Sequence, residues 1–419
     1  MKTTPKAAFP AQLGAYAGLV ISLGVNLRKG DYLLIWALTV HRELALAIAE
    51  EAYKRGAFYV NILYQDEKLQ HSLLLYGTDQ SIGFISESMK DAYQELLKYN
   101  GAFISISGRE SLAEFQGIEA TRVGKAFLAR ANELQFFQKA IQENAIRWCI
   151  ISAATPGRAT AMFPGLPEEV ALEKLWNAIF SACRLSERDP VAAWEKHIET
   201  LCARRKILDR LKIKRLIFKG KNVDLSAGLH DNARWLGGVS ESKEGMVFLP
   251  NMPTEEVYTA PDFRTVEGSI TTTRPVSYKN IYIEKLSLVF KKGEVVSISG
   301  SEGVEDLREI IHGADANRRA GEIALVDKSS KVAQSGFIYH DLLYDENSAS
   351  HLAIGAAYPE CVLGAGNWSA AQKAKNGLNE STVHIDIMIG TPDLSVMAQT
   401  QDNREIQLIA DGTFCLEDL

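Results

Sequence analysis

His384-Ile385-Asp386 alternates potential metal ligand, apolar residue and potential ligand. In a strand, side chains two apart share a face, so this spacing would turn both donors the same way. His351 and Tyr358 lie seven residues apart, two turns of an α-helix. The alanine-rich run between them is expected to carry both on one helical face. Glu322 sits inside Gly321-Glu322-Ile323-Ala324-Leu325-Val326, which reads as an apolar strand, and a carboxylate is rarely buried there without a partner. Glu256 follows the proline of Asn251-Met252-Pro253-Thr254-Glu255-Glu256-Val257. These residues supply two imidazoles, three carboxylates and a phenol. Nitrogen and oxygen donors in that number suit a pair of divalent cations better than a single one. Two cations about 3.5–4 Å apart call for a bridging carboxylate and can share a water whose pKa falls toward neutrality. The chemistry indicated is metal-dependent hydrolysis.

Each piece alone has a plainer reading. An exposed strand could carry His384 and Asp386, His351 could be a satisfied core histidine, and Tyr358, before Pro359, could pack a helix end. The conjunction is what points to a site. Glu346, just upstream of His351, is read as general base on the shared water, with orientation of His351 as the other role open to it.

Four segments also carry a resemblance. NMPTEEVYTAP (residues 251–261), GEIALV (321–326), DENSASHLAIGAAY (345–358) and VHIDIMIG (383–390) resemble, in order, the successive motifs of the thermophilic aminopeptidase family, the dinuclear metallopeptidases that include the aminopeptidase T and S enzymes. The resemblance extends over nearly the whole chain and is most specific between residues 250 and 395. It implies metal ligands at Glu256, Glu322, His351, Tyr358, His384 and Asp386, with none substituted; Glu322 and Tyr358 among them, together with Glu346 as read above, are taken as the catalytic residues. It further implies removal of N-terminal residues from peptides with a free N-terminus, and a homodimer. Ser350 stands where many relatives carry cysteine, at a position that is not a ligand. Two zinc or cobalt ions per chain are expected, and the same donors accept manganese or magnesium.

Other classes fit less well. A formal charge of −6 lacks the basic stripe of a nucleic-acid partner. The five scattered cysteines form no CxxC pair, which argues against a disulfide framework or a thiolate zinc site. Met1-Lys2-Thr3-Thr4-Pro5-Lys6 leads into no signal-type apolar core, and no apolar run approaches the roughly 20 residues that span a bilayer. A cytoplasmic protein without membrane association is expected. A dinuclear phosphoesterase is the second enzymatic reading, but Gly366-Asn367 is followed by Trp368 instead of the His of a GNH[DE] signature. A non-catalytic binding protein on the same scaffold would be expected to have lost a ligand. No serine sits in a GxSxG elbow.

The positioning elements divide near residue 208. In 1–208, strands at Asp31 to Trp36, Ala57 to Leu63, Gly101 to Ser107 and Ile146 to Ala153 alternate with helical segments at Glu43 to Lys54 and Arg122 to Gln142. That succession predicts an α/β domain, a doubly wound and mainly parallel sheet. A charged helix from Pro190 to about Arg210 follows as connector. In 209–419, short strands with glycine turns, among them Ile281 to Val289 and Val295 to Ser299 joined at Lys291-Lys292-Gly293, predict a mostly antiparallel α+β domain that holds every ligand.

Overall fold

The computed structural model describes residues 9–112, 114–278 and 281–416; the N-terminal hexapeptide discussed above lies outside them. The chain forms two compact units, Met1–Glu195 with Val239–Pro253, and Lys196–Gly238 with Thr254–Leu419.

The first unit is built on a four-stranded sheet in the order Tyr59–Gln65, Tyr32–Leu38, Ala102–Ser107, Arg147–Ser152, with every neighbouring pair parallel. Tyr32–Leu38 reads YLLIWAL and is almost wholly buried, the uninterrupted apolar composition of a strand covered on both faces. Two of the intervening helices, Glu67–Tyr76 and Glu87–Lys98, start at side-chain caps: Asp66 accepts from Leu69 N and Ser86 from Met89 N, satisfying amides that the helix leaves open. The helix expected from Arg122 to Gln142 is two, Ala120–Glu133 and Gln135–Gln142. They meet at Leu134, which is buried. The helix Pro190–Arg210 forms as read.

The second unit contains an eight-stranded antiparallel sheet with Val223–Gly228 and Ile213–Gly220 at its centre, and a smaller four-stranded one. In the large sheet, Lys292 and Gly293 take φ of 51° and 81°, closing the expected hairpin between Leu286–Lys291 and Glu294–Gly300. The single strand expected over Ile281 to Val289 is interrupted. Ile281–Ile283 pairs with Val276–Tyr278, and the chain re-enters the large sheet only at Leu286.

The small antiparallel sheet runs His384–Met388, His351–Gly355, Ala320–Val326, Glu256–Thr259. It corrects one expectation: His351 begins a strand, not a helix, and Tyr358 follows in the connection before Pro359–Cys361. The alanines of this segment favour a helix in isolation. Tertiary context overrides them: Gly355 holds φ +102°, outside the helical region, and Leu352 and Ile354 are fully buried. Helix is confined to Leu342–Glu346 upstream.

Candidate metal centre

Strand register alone collects the donors. Across the small sheet Asp386 pairs with Ala353 and His384 with Gly355. Ala353 pairs with Glu322 and His351 with Ala324. Val326 in turn pairs with Glu256, and Ala324 with Tyr258. Directly paired residues point to the same face, and so do residues two apart. Glu256, Glu322, His351, His384 and Asp386 therefore share one face. Between them that face carries Ala324, Ala353 and Gly355, the smallest side chains available, which leaves the donors room to converge. The opposite face carries Ile323, Leu325, Leu352, Ile354, Ile385 and Ile387, all part of the main hydrophobic core of this unit.

The donor atoms form two groups with one member in common. One ligand atom each from Glu256, Glu322 and His351 lie within 4.8 Å of one another, as do those from Glu322, His384 and Asp386. His351 Nε2 is 3.3 Å from Glu256 Oε2 and 3.8 Å from Glu322 Oε1. His384 Nε2 is 3.3 Å from the other Glu322 oxygen and 3.2 Å from Asp386 Oδ1. Glu322 thus presents one oxygen to each histidine, the disposition of a bridging carboxylate.

Both imidazoles are oriented by main chain. His384 Nδ1 donates to Ala356 O at 2.9 Å and His351 Nδ1 to Ala349 O at 3.2 Å. A proton held on Nδ1 leaves the Nε2 lone pair directed at the acids, the tautomer that a ligand needs. Ala356 O is placed by close backbone packing. A Cβ on Gly355 would lie 2.1 Å from Val383 O, and one on Gly321 would lie 2.2 Å from Ala356 O itself. Asn379 Nδ2 donates to Gly355 O at 2.6 Å and fixes the same corner. Gly355→Ala is therefore expected to destabilise this unit by about 3 kcal/mol or more, from the positive φ and the clash together. Chemical denaturation would measure the loss, and a change below about 1 kcal/mol would show that the corner can relax.

Carboxyl groups outnumber imidazoles in this cluster. Glu256, Glu322, Asp386 and His351 are all buried. Burial pushes the Glu256 carboxyl up to about 7, the charge of His351 opposing and those of Glu322 and Asp386 adding to the rise. Burial would also raise Glu322, but its hydrogen bonds with His351 and His384 outweigh that and hold it below the usual carboxylate range. Burial alone would lower His351; pairing with Glu322 and the charges of Glu256 and Asp386 instead push it up to about 10. His384 is raised in the same way, chiefly by Asp386 against its own burial. Glu346, also near this cluster, is raised by burial and by the charges of Glu256 and Asp386. Glu256 Oε2 is buried without a hydrogen bond. Acids in excess of imidazoles, an orphaned carboxylate oxygen and convergent Nε2 atoms fit divalent cations.

Tyr358 stands beside this face, its ring 5.4 Å from that of His384 and 5.7 Å from that of Tyr258. It is 43% exposed, yet burial around its hydroxyl and the charges of Glu322 and Asp386 raise its pKa. Two further acids near the donors do structural work. Asp345 accepts from the amides of Tyr339 and Asp341, at 2.8 and 3.2 Å. Glu255 is buried with its carboxylate 3.6 Å from His197 Nε2. Ser350 Oγ accepts from Val326 N and donates to Val326 O, joining the His351 strand to the Glu322 strand. Sequence reasoning assigned nothing to Asn347. Its side chain contacts Glu255 N, Leu343 O and Glu346, and the one available signal was an amide residue between charged and small polar neighbours.

Comparison with known proteins gives one consistent answer. Residues 9–414 match the family described as thermophilic metalloprotease (M29). The chain is 36% identical to aminopeptidase T of Thermus thermophilus over 409 residues, covering 97% of this chain and 98% of that protein. It is 33% identical to aminopeptidase AmpS of Bacillus subtilis over 408 residues, covering 97% and 99%. The solved structure of wild-type AmpT from Thermus thermophilus superposes with a TM-score of 0.90 at 33% identity, covering 97% of this chain and 100% of that one.

Proposed function

The chain belongs to the thermophilic metalloprotease (M29) family and is a metal-dependent aminopeptidase; from that premise we propose that two divalent cations are held by Glu256, Glu322, His351, Tyr358, His384 and Asp386, with Glu322 shared between them. The observation that carries this reading is the single sheet face on which five of these residues converge in two groups. When bound, such cations would lower the pKa of a water and polarise the scissile carbonyl. The protein's own part is then positional and proton-handling. Main-chain carbonyls hold the two imidazoles in one tautomer. The Glu346 carboxyl, which lies near Glu256 and Asp386, would in its ionised form accept a proton from the attacking water and return it to the leaving amine. Tyr358, beside His384, adds a phenolic oxygen to the same rim.

The same reading assigns zinc or cobalt as the native ions, places the chemistry in the second half of the chain (residues 209–419), and takes the enzyme as a cytoplasmic homodimer. Among the described residues no helix is long and apolar enough to cross a membrane. The substrate is a peptide with a free N-terminus. Asp345 and Glu255 are engaged elsewhere, so recognition of the terminal amine falls to the remaining acids and the cations. A charge-assisted contact of this kind contributes about 1.5–3 kcal/mol, roughly ten- to a hundredfold in binding. Elemental analysis of the purified enzyme is expected to return two ions per chain. Leu-headed peptides and amides should be hydrolysed while their N-acetylated counterparts stay intact. One ion per chain at full activity, or equal cleavage of blocked peptides, would overturn this assignment.

A further inference from the structure

We propose that Asn347 is a positioning residue that fixes the carboxylate of Glu346 for its proton transfer, an inference that rests on the reading of Glu346 as general base. Asn347 caps the short helix Leu342–Glu346 and is completely buried. Its Oδ1 accepts from Glu255 N at 2.6 Å, and its Nδ2 donates to Leu343 O at 2.8 Å. These two contacts dictate which way the amide points. Turned over, Oδ1 would confront the Leu343 carbonyl and Nδ2 the Glu255 N–H, and both hydrogen bonds would be lost. The main chain is held as well, since Ser330 Oγ donates to Asn347 O at 2.8 Å.

With the amide so fixed, Nδ2 has one proton left, and it faces Glu346 Oε1 at 3.4 Å. Among the described residues this is the one hydrogen bond that the Glu346 side chain receives. A glutamate has three side-chain torsions to restrain, and one donor on Oε1 restrains them while leaving Oε2 open to receive a proton. The donor must be neutral and must carry both kinds of group. Aspartate at this position would set a second carboxylate against Glu346 and against Leu343 O. Alanine would free the Glu346 side chain altogether. Among the described residues the side-chain hydrogen bonds of Asn347 go to Glu255 N, Leu343 O and Glu346, and in this sense it is separate from the donor set.

The test is a double-mutant cycle on the metal-loaded enzyme with Glu346→Gln, Asn347→Ala and the double variant, reading kcat, KM, ion content and thermal midpoint for each. Asn347→Ala is expected to lower kcat about ten- to a hundredfold, with KM within about threefold and ion content unchanged. In the Glu346→Gln background the same substitution should lower kcat by no more than about threefold, because residues that act as one unit are not additive. Losses that multiply in the double variant, or a loss confined to KM or to ion content, would refute the proposal while leaving Glu346 as base. Wild-type turnover in Glu346→Gln alone would remove the base assignment, and the proposal with it. If Asn347→Ala does not fold, the near-isosteric Asn347→Asp enters the same cycle under the same criteria.

Discussion

Glu322→Gln is expected to lower turnover by about a thousandfold or more, since loss of a shared ligand removes several kcal/mol of charge stabilisation from the reaction. No other donor belongs to both groups that converge on the small sheet, so this one substitution weakens both ion positions together. Glutamine keeps the shape and reach of the side chain. In the ion-free protein the substitution loses the ionised carboxylate that pairs with His351 and His384, so the thermal midpoint without metal should fall. Ion content by elemental analysis should fall alongside activity. Full activity at normal ion content would place Glu322 outside the ligand set. The same outcome with His384→Ala would do so for His384.

Stripping the ions with a chelator is expected to take activity to background, and adding divalent cations back should restore it with release of protons. The sign follows from the histidine. In the ion-free protein His351 is raised to about 10 and is protonated at pH 8, while Glu256, raised to about 7, has mostly ionised. A cation at Nε2 must displace the His351 proton. Apparent affinity should therefore strengthen by about tenfold per pH unit for each proton released, between roughly pH 7.5 and 9. Titration in weak buffer with an indicator dye measures the release directly. A flat affinity across that window would show that His351 keeps its proton and takes no part in binding.

The parallel sheet was legible because strands such as Tyr32–Leu38 are short apolar runs separated by helical segments, and burial on both faces leaves little else such a run can be. Part of the candidate donor set stood out by residue type, a glutamate inside GEIALV and a histidine two places before an aspartate, but each had a plainer reading alone, and the set of six came from the resemblance of four motifs. The backbone under His351 was misread. Composition pointed to helix, yet His351-Leu352-Ala353-Ile354-Gly355 alternates donor or small residue with bulky aliphatic, the same period as His384-Ile385-Asp386-Ile387. Weighing period above alanine content would have found the strand. The break at Glu284-Lys285 and the division of the helix at Leu134 depend on which partners are present in space, and no local pattern announces them. The hydrogen bond from Glu255 N to Asn347 joins residues 92 apart in the chain and is equally invisible to spacing.

The strands that bear the donors turn their other face, through Ile323, Leu352, Ile354, Ile385 and Ile387, into the principal core of the second unit. Segments with that much buried aliphatic surface open only when the whole cooperative unit opens. Amide protons in Ala320–Val326 and His351–Gly355 then belong with the slowest to exchange with solvent. On heating, the centre would remain assembled until this unit melts as a whole, so the enzyme would lose activity along the same curve as its tertiary structure, with no partly folded, ion-leaking species populated beforehand. Operational lifetime at high temperature would be governed by the unfolding rate of this one core.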